Sequence, residues 1–188
     1  MSPRSAAPLT LEFILLGLVS KKPAHGYELQ QELRSLQSLS QVWHIGQPQL
    51  YALIDKLERQ GLLTGELQPG EGRPDRKVLS LTPTGRQMFD AWLSTPVEHP
   101  RDMRQEFLAK LFFARQAGFA TELIVWQREV CQKWLGGLNH KFEMLTPDQM
   151  DERLVFQLRI LQVRALLEWL DQAAVWVGND VNEEHPQR

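Results

Sequence analysis

Residues 46–85 read GQPQLYALIDKLERQGLLTGELQPGEGRPDRKVLSLTPTG, and the hydrophobic period changes three times along them. Leu50, Leu53, Ile54 and Leu57 recur at intervals of three and four, the inward stripe of a helix. Pro48 falls in its first turn, where a missing N–H costs nothing, and Gly61 supplies its C-terminal stop. The period then drops to two over Leu62–Leu67 and again over Lys77–Leu81, two short strands. Between them PGEGRPDR (69–76) is too rich in Gly, Pro and charge for anything but an exposed hairpin tip. Thr82-Pro83 then caps and opens another helix, running to about Ser94.

Upstream, Thr10–Ser20 is nearly all apolar and three turns long, which favours a buried helix over a strand. Pro23 and Gly26 bracket a turn. His25–Leu36 then sets Tyr27, Leu29, Leu33 and Leu36 at helical spacing. The order helix, helix, helix, strand, hairpin tip, strand, helix is that of a winged helix-turn-helix, occupying residues 1–95. Two prolines in TPVEHP (95–100) mark the boundary. Beyond it the chain reads as helix over about 101–117, 119–145 and 147–178, with Gly118 and Thr146-Pro147 as punctuation. The last helix would be on the order of 45 Å long, with a broad apolar stripe from Leu154 to Val177. So wide a face on so long a helix calls for a partner, and a second copy is the simplest. The expected architecture is therefore mainly α with a small β-hairpin: an N-terminal DNA-binding winged helix, a helical dimerisation domain over 96–178, and a disordered polar tail over 179–188.

Composition excludes more than it assigns. A net charge of −2 gives no support to nucleic-acid binding as a whole-chain property, so any such claim rests on local placement. A lone cysteine, Cys131, rules out an intrachain disulfide framework and any cysteine-based zinc site. On an apolar helix it reads as inert packing rather than a redox sensor. The histidines are scattered, and neither a GxSxG elbow nor a phosphate-cradling glycine loop occurs. No enzyme, metal or cofactor is expected. No run is apolar enough for a membrane helix, the N-terminus does not read as a signal peptide, and the cytoplasm is the expected location.

Three places suit DNA. Gln47 and Gln49 sit at the start of the third helix, where a glutamine amide can pair bidentately with adenine in the major groove. Tyr51 and Lys56 follow, able to donate to phosphate oxygens. Arg73, Arg76 and Lys77 make the hairpin tip cationic enough for a minor groove, diluted by Glu71 and Asp75. His25-Gly26-Tyr27 begins the second helix, whose N–H groups suit a phosphate, although Tyr27 would serve equally in the core. Each of these has an ordinary alternative as a solvated face or charged turn. A winged-helix module that binds protein instead of DNA is the competing reading.

Order and spacing carry more than any one of these. His25-Gly26-Tyr27-Glu28-Leu29, Trp43, Gln49-Leu50-Tyr51 with Leu53 and Leu57-Glu58, Gly61-Leu62-Leu63, Gly72-Arg73-Pro74 with Lys77, Ser80-Leu81-Thr82 and Gly85, and Arg101-Asp102 with Glu106-Phe107-Leu108 and Lys110-Leu111-Phe112-Phe113 together resemble the PadR family of bacterial regulators. The resemblance is dense over 9–113. It is looser over 119–178, where the chain is similar to the long-tailed members, including the virulence-activator branch. Gln47-Pro48-Gln49 and Ala52 depart from the commonest wording of the family, at positions that bear on which operator is read. The resemblance implies a homodimer, usually a repressor, on a pseudo-palindromic duplex, with recognition helices about 34–36 Å apart. It also implies release by a small aromatic molecule in some members. Trp126, Trp134, Trp169 and Trp176 could line such a site, each pair falling on one helical face, but core and dimer-interface packing is the preferred reading.

Overall fold

The computed structural model describes residues 10–35, 46–69 and 76–183, with side chains as far as 179. The chain divides between Thr95 and Pro96 into two compact units.

In the first unit, α1 (Thr10–Lys21) leads through β1 (Ala24–His25) into α2 (Gly26–Ser35); α3 (Gln47–Arg59) is followed by β2 (Leu63–Gln68), β3 (Arg76–Leu81) and α4 (Pro83–Leu93). The strands form an antiparallel sheet in the order β1-β3-β2. β2 and β3 pair from Leu63 opposite Leu81 out to Gln68 opposite Arg76, forming the wing. β1 is the element the sequence hid. Two residues show no period, and only the pairing of Ala24 with Leu79 and His25 with Val78 makes them a strand.

α1 is buried along nearly its whole length from Glu12 to Val19, so an apolar run without amphipathic phase becomes the central helix of the unit. Leu29, Leu50, Ile54, Leu57, Leu62, Leu63 and Leu79 are buried with it. Phe13 stacks flat on Trp92 of α4, ring centroids 4.7 Å apart. Gly61 stops α3 at φ 69°, with the Leu62 N–H donating to the Leu57 carbonyl and the Gly61 N–H to that of Glu58. This is a Schellman closure, and the left-handed backbone explains the glycine. The next turn is fixed by Thr82, whose hydroxyl accepts from the Gly85 N–H at 3.0 Å and donates to the Gly61 carbonyl at 2.7 Å. Gly85 has no alternative there, since a Cβ would collide with the Leu62 carbonyl oxygen.

In the second unit a 3-10 turn (Pro100–Arg104) precedes α5 (Glu106–Ala117), α6 (Ala120–Glu143) and α7 (Met150–Glu183). α6 and α7 form an antiparallel hairpin: Arg153 lies over the Phe142 ring at 4.6 Å near the turn, and Arg128 meets Asp171 at 2.7 Å further along. Three boundaries differ from the sequence reading: the helix expected from about 101 begins only at Glu106, residues Pro100–Arg104 forming the separate 3-10 turn. α7 begins at Met150 rather than 147, because Thr146–Gln149 is spent on a turn in which Gln149 Oε1 accepts from the Thr146 N–H and hydroxyl. It also continues to Glu183, so residues 179–183 extend the helix instead of starting a tail. Gln127 is fully buried and clamps the backbone of Val97 from both sides, accepting its N–H at 2.7 Å and donating to its carbonyl at 3.2 Å. A residue with no regular structure thereby has both of its polar groups satisfied.

Candidate nucleic-acid interface

α3 buries Leu50, Ile54 and Leu57 and leaves Gln47, Pro48, Gln49, Tyr51, Ala52, Asp55 and Arg59 exposed. The two glutamines therefore stand free at the start of a solvent-facing helix. Its N-cap, Gly46, makes no side-chain cap, in contrast to Thr82 at the start of α4. The first-turn N–H groups and the positive end of the helix dipole are thus left without a side-chain acceptor.

α2 is set against this helix by a glycine. A Cβ on Gly26 would come within 2.9 Å of Tyr51 Cε1, so the absent side chain is what lets the Tyr51 ring lie over the start of α2. Tyr51 remains 41% exposed and Tyr27 62% exposed. Tyr27 is thus a surface residue, its hydroxyl accepting from Gln31 Nε2 at 2.6 Å. His25 joins the helix start to the wing: its N–H donates to Glu28 Oε2 at 2.8 Å and its Nδ1 donates to the Lys77 carbonyl at 3.0 Å. Gln47, Gln49, Tyr51 and Tyr27 therefore belong to one helix-turn-helix surface.

Two of the lysines expected to contact DNA are otherwise engaged. The sequence offers Lys56 beside Tyr51 as a phosphate donor, but its Nζ sits 2.6 Å from Glu12 Oε1 in α1. Glu12 is completely buried, and its second oxygen, Oε2, has no hydrogen-bond partner. A buried carboxylate without a cation is strongly unfavourable, which is why this lysine turns toward the core. Lys77 is similarly drawn to Glu58 at 2.6 Å, crossing the wing over Gly65, where a Cβ would run into it. Arg76 stays exposed at the far end of the wing ladder, and no ion pair holds it among the described residues. Arg73 lies outside the described residues, as does Trp43. The sequence reading passed over Asp55 as an outward residue, although it lies one turn from Ala52 and Arg59 on the same face; a stricter application of the 3.6-residue period finds it.

The four tryptophans of the second unit do not form one aromatic box. Trp169 meets Phe107 edge-on, with centroids 6.0 Å apart, and Trp126 leans on Phe119 at 6.5 Å. Trp176 is 64% exposed. Trp134 lines a cavity of about 670 Å³ bounded by the 3-10 turn, α6 and α7. Spacings of eight and seven residues put each pair of rings on one helical face but could not show that the faces have different neighbours. Cys131 is buried, and burial pushes its thiol pKa up.

Residues 15–91 match the family described as "Transcriptional regulator PadR-like family". Among curated proteins, the chain is 24% identical to the negative transcriptional regulator PadR of Bacillus subtilis (strain 168), over 90% of this chain and 98% of that one. Solved structures similar to it include Bacillus subtilis PadR in complex with operator DNA, at 24% identity and TM-score 0.45 over 90% of this chain and 99% of that one. The same regulator in complex with p-coumaric acid is 23% identical, with TM-score 0.41 over 90% and 96%.

Proposed function

We propose that this chain, which belongs to the PadR-like family of transcriptional regulators, acts as a cytoplasmic homodimeric repressor whose α3 lies in the major groove of a pseudo-palindromic operator. The observation that carries the proposal is the exposed, side-chain-uncapped start of α3, with Gln47 and Gln49 beside Tyr51 and Tyr27. In that arrangement the glutamine amides read base edges. The tyrosine hydroxyls and the free N–H groups of the first turn hold phosphates and set register. Arg76, at the wing, reaches the neighbouring backbone or minor groove. Repression follows the relative named a negative regulator.

Dimerisation is supported by α7. Leu154, Val155, Leu158 and Leu161 are all more than half exposed on one stretch of helix, as are Val175 and Trp176 further on. A row of large apolar side chains of this extent marks an interaction surface, and self-association of two long helices covers it. The two-fold axis then places the recognition helices on successive major-groove faces, about 34–36 Å apart. The winged-helix unit reads and the helical unit pairs and senses, a small aromatic effector entering the Trp134 cavity.

Fluorescence anisotropy with the chain's own upstream DNA, at stated salt, tests the reading. Saturable binding with a stoichiometry of two chains per site, much tighter than to a scrambled duplex, is expected. Equal weak binding to every duplex would leave a protein-interaction module as the better account.

A further inference from the structure

We propose that the cavity of the second unit binds a nucleoside phosphate: a flat aromatic ring attached to a group carrying two or more negative charges. The inference rests on reading this unit as the effector-binding part of the regulator.

The cavity has an aromatic wall and an excess of cations. Trp134 and Val163 give it apolar surface, while Lys133 and Lys141 of α6 and Arg159 of α7 bring three positive charges to its rim, joined by Arg101 of the 3-10 turn, which also meets Asp102 at 3.6 Å. The carboxylate among its lining residues is Glu98. Lys133, Lys141 and Arg159 make no ion pair or hydrogen bond among the described residues. Elsewhere on the same two helices Arg128 holds Asp171 and Arg153 holds the Leu145 carbonyl. Cations left unpaired around one cavity repel one another, and a surface without a ligand gains nothing from gathering them. A single carboxylate would neutralise only a fraction of this charge, whereas a phosphate chain matches it.

The floor of the cavity points the same way. Lys133, Gly137 and Lys141 are four residues apart, so they share one face of α6. A glycine in mid-helix is unfavourable relative to alanine, and packing does not require it here, since a Cβ on Gly137 would meet nothing within 4 Å. What Gly137 does is leave the space between the two lysines open beside the Trp134 indole. Its volume, about 670 Å³, lies within the usual range for small-molecule sites.

Titration calorimetry of the full chain in magnesium-free buffer tests this with four probes: ATP, adenosine, inorganic tripolyphosphate and p-coumarate. ATP should bind at least about tenfold more tightly than each of the other three. Lys133→Gln and Lys141→Gln should each weaken ATP by about tenfold, the usual effect of losing a charge-assisted hydrogen bond. Gly137→Leu should abolish binding while raising the melting temperature, because leucine enters open space and improves helix propensity. Tripolyphosphate binding as tightly as ATP, p-coumarate binding more tightly, or absence of ATP binding would each overturn the proposal. So would a loss of operator affinity in the two lysine variants, without nucleotide, as large as their loss of ATP affinity, which would assign these cations to DNA. The effector reading is separable: ATP that binds without altering operator affinity refutes that reading and leaves the site in place.

Discussion

Replacing Lys56 separates a structural lysine from a DNA-contacting one. Its Nζ lies 2.6 Å from Glu12 Oε1, the carboxylate is fully buried, and the lysine side chain retains 34% exposure. Removing one partner of a buried pair costs about 3–5 kcal/mol, because the other charge is left uncompensated. Partial exposure of Lys56 lets water screen the pair, which places Lys56→Met at the lower end, about 3 kcal/mol. Glu12 Oε2 already lacks a hydrogen-bond partner, so no second group stands ready to take over. With a urea m-value of about 1–3 kcal/mol/M, the midpoint should fall by about 1–3 M at fixed protein concentration. Glu12→Leu combined with Lys56→Met should recover most of that loss, since apolar replacement of a whole buried pair is close to neutral. Circular dichroism during urea titration provides the measurement, with operator anisotropy run under folding conditions. A Lys56→Met protein with unchanged midpoint but uniformly weaker binding to every duplex would refute the assignment and return Lys56 to the phosphate backbone.

Gly85→Ala should destabilise the first unit by at least about 2 kcal/mol in the same titration, because the new Cβ meets a backbone carbonyl that cannot move aside cheaply. Gln127→Leu leaves the N–H and carbonyl of Val97 buried without partners and should cost about 1–3 kcal/mol, read as a lower melting temperature. Because burial raises the Cys131 thiol pKa, little thiolate forms near neutral pH; a thiol reagent should react slowly with the native chain and fully after unfolding in guanidinium, and rapid native reaction would contradict the burial.

How far the sequence could be read depended on whether a feature was local. The helices of the first unit and the wing strands were legible, since periods of 3.6 and 2, Pro83 at a helix start and Gly61 at a helix end are written in adjacent residues. β1 was not, because a two-residue strand exists only through its partners on β3. The outward direction of Gln47 and Gln49 followed from the phase of Leu50, Ile54 and Leu57. Lys56 did not follow, because it lies on the flank of that face and its direction is decided by Glu12, forty-four residues earlier in the chain. The surroundings of the tryptophans were hidden for the same reason: spacing fixes which rings share a helix face, while Phe107 and Phe119 decide what Trp169 and Trp126 touch.

The internal ion pairs also set how strongly DNA binding can depend on salt. In the first unit Lys21 is paired with Glu32, Lys56 with Glu12 and Lys77 with Glu58, and Arg86 donates to the Ser20 carbonyl at 2.7 Å. Of the remaining cations in this unit, Lys22, Arg34 and Arg76 are exposed without an ion pair among the described residues, and Arg59 bonds only the Asp55 carbonyl of its own helix. Adding Arg4 and Arg73, which lie outside the described residues, sets six as the upper bound on the charges this unit offers to phosphates while its described ion pairs stay closed. A symmetric pair of chains would then neutralise at most about twelve phosphates with this unit, which limits the slope of log affinity against log salt to about −11. A shallower slope means that neutral donors, the tyrosine hydroxyls and the open N-terminus of α3, carry much of the backbone contact. Anisotropy titrations between about 50 and 300 mM salt give the slope directly. A value well beyond −11 would show that the paired lysines let go of their carboxylates on DNA, and Lys77→Ala should then reduce it by about one for each phosphate lost.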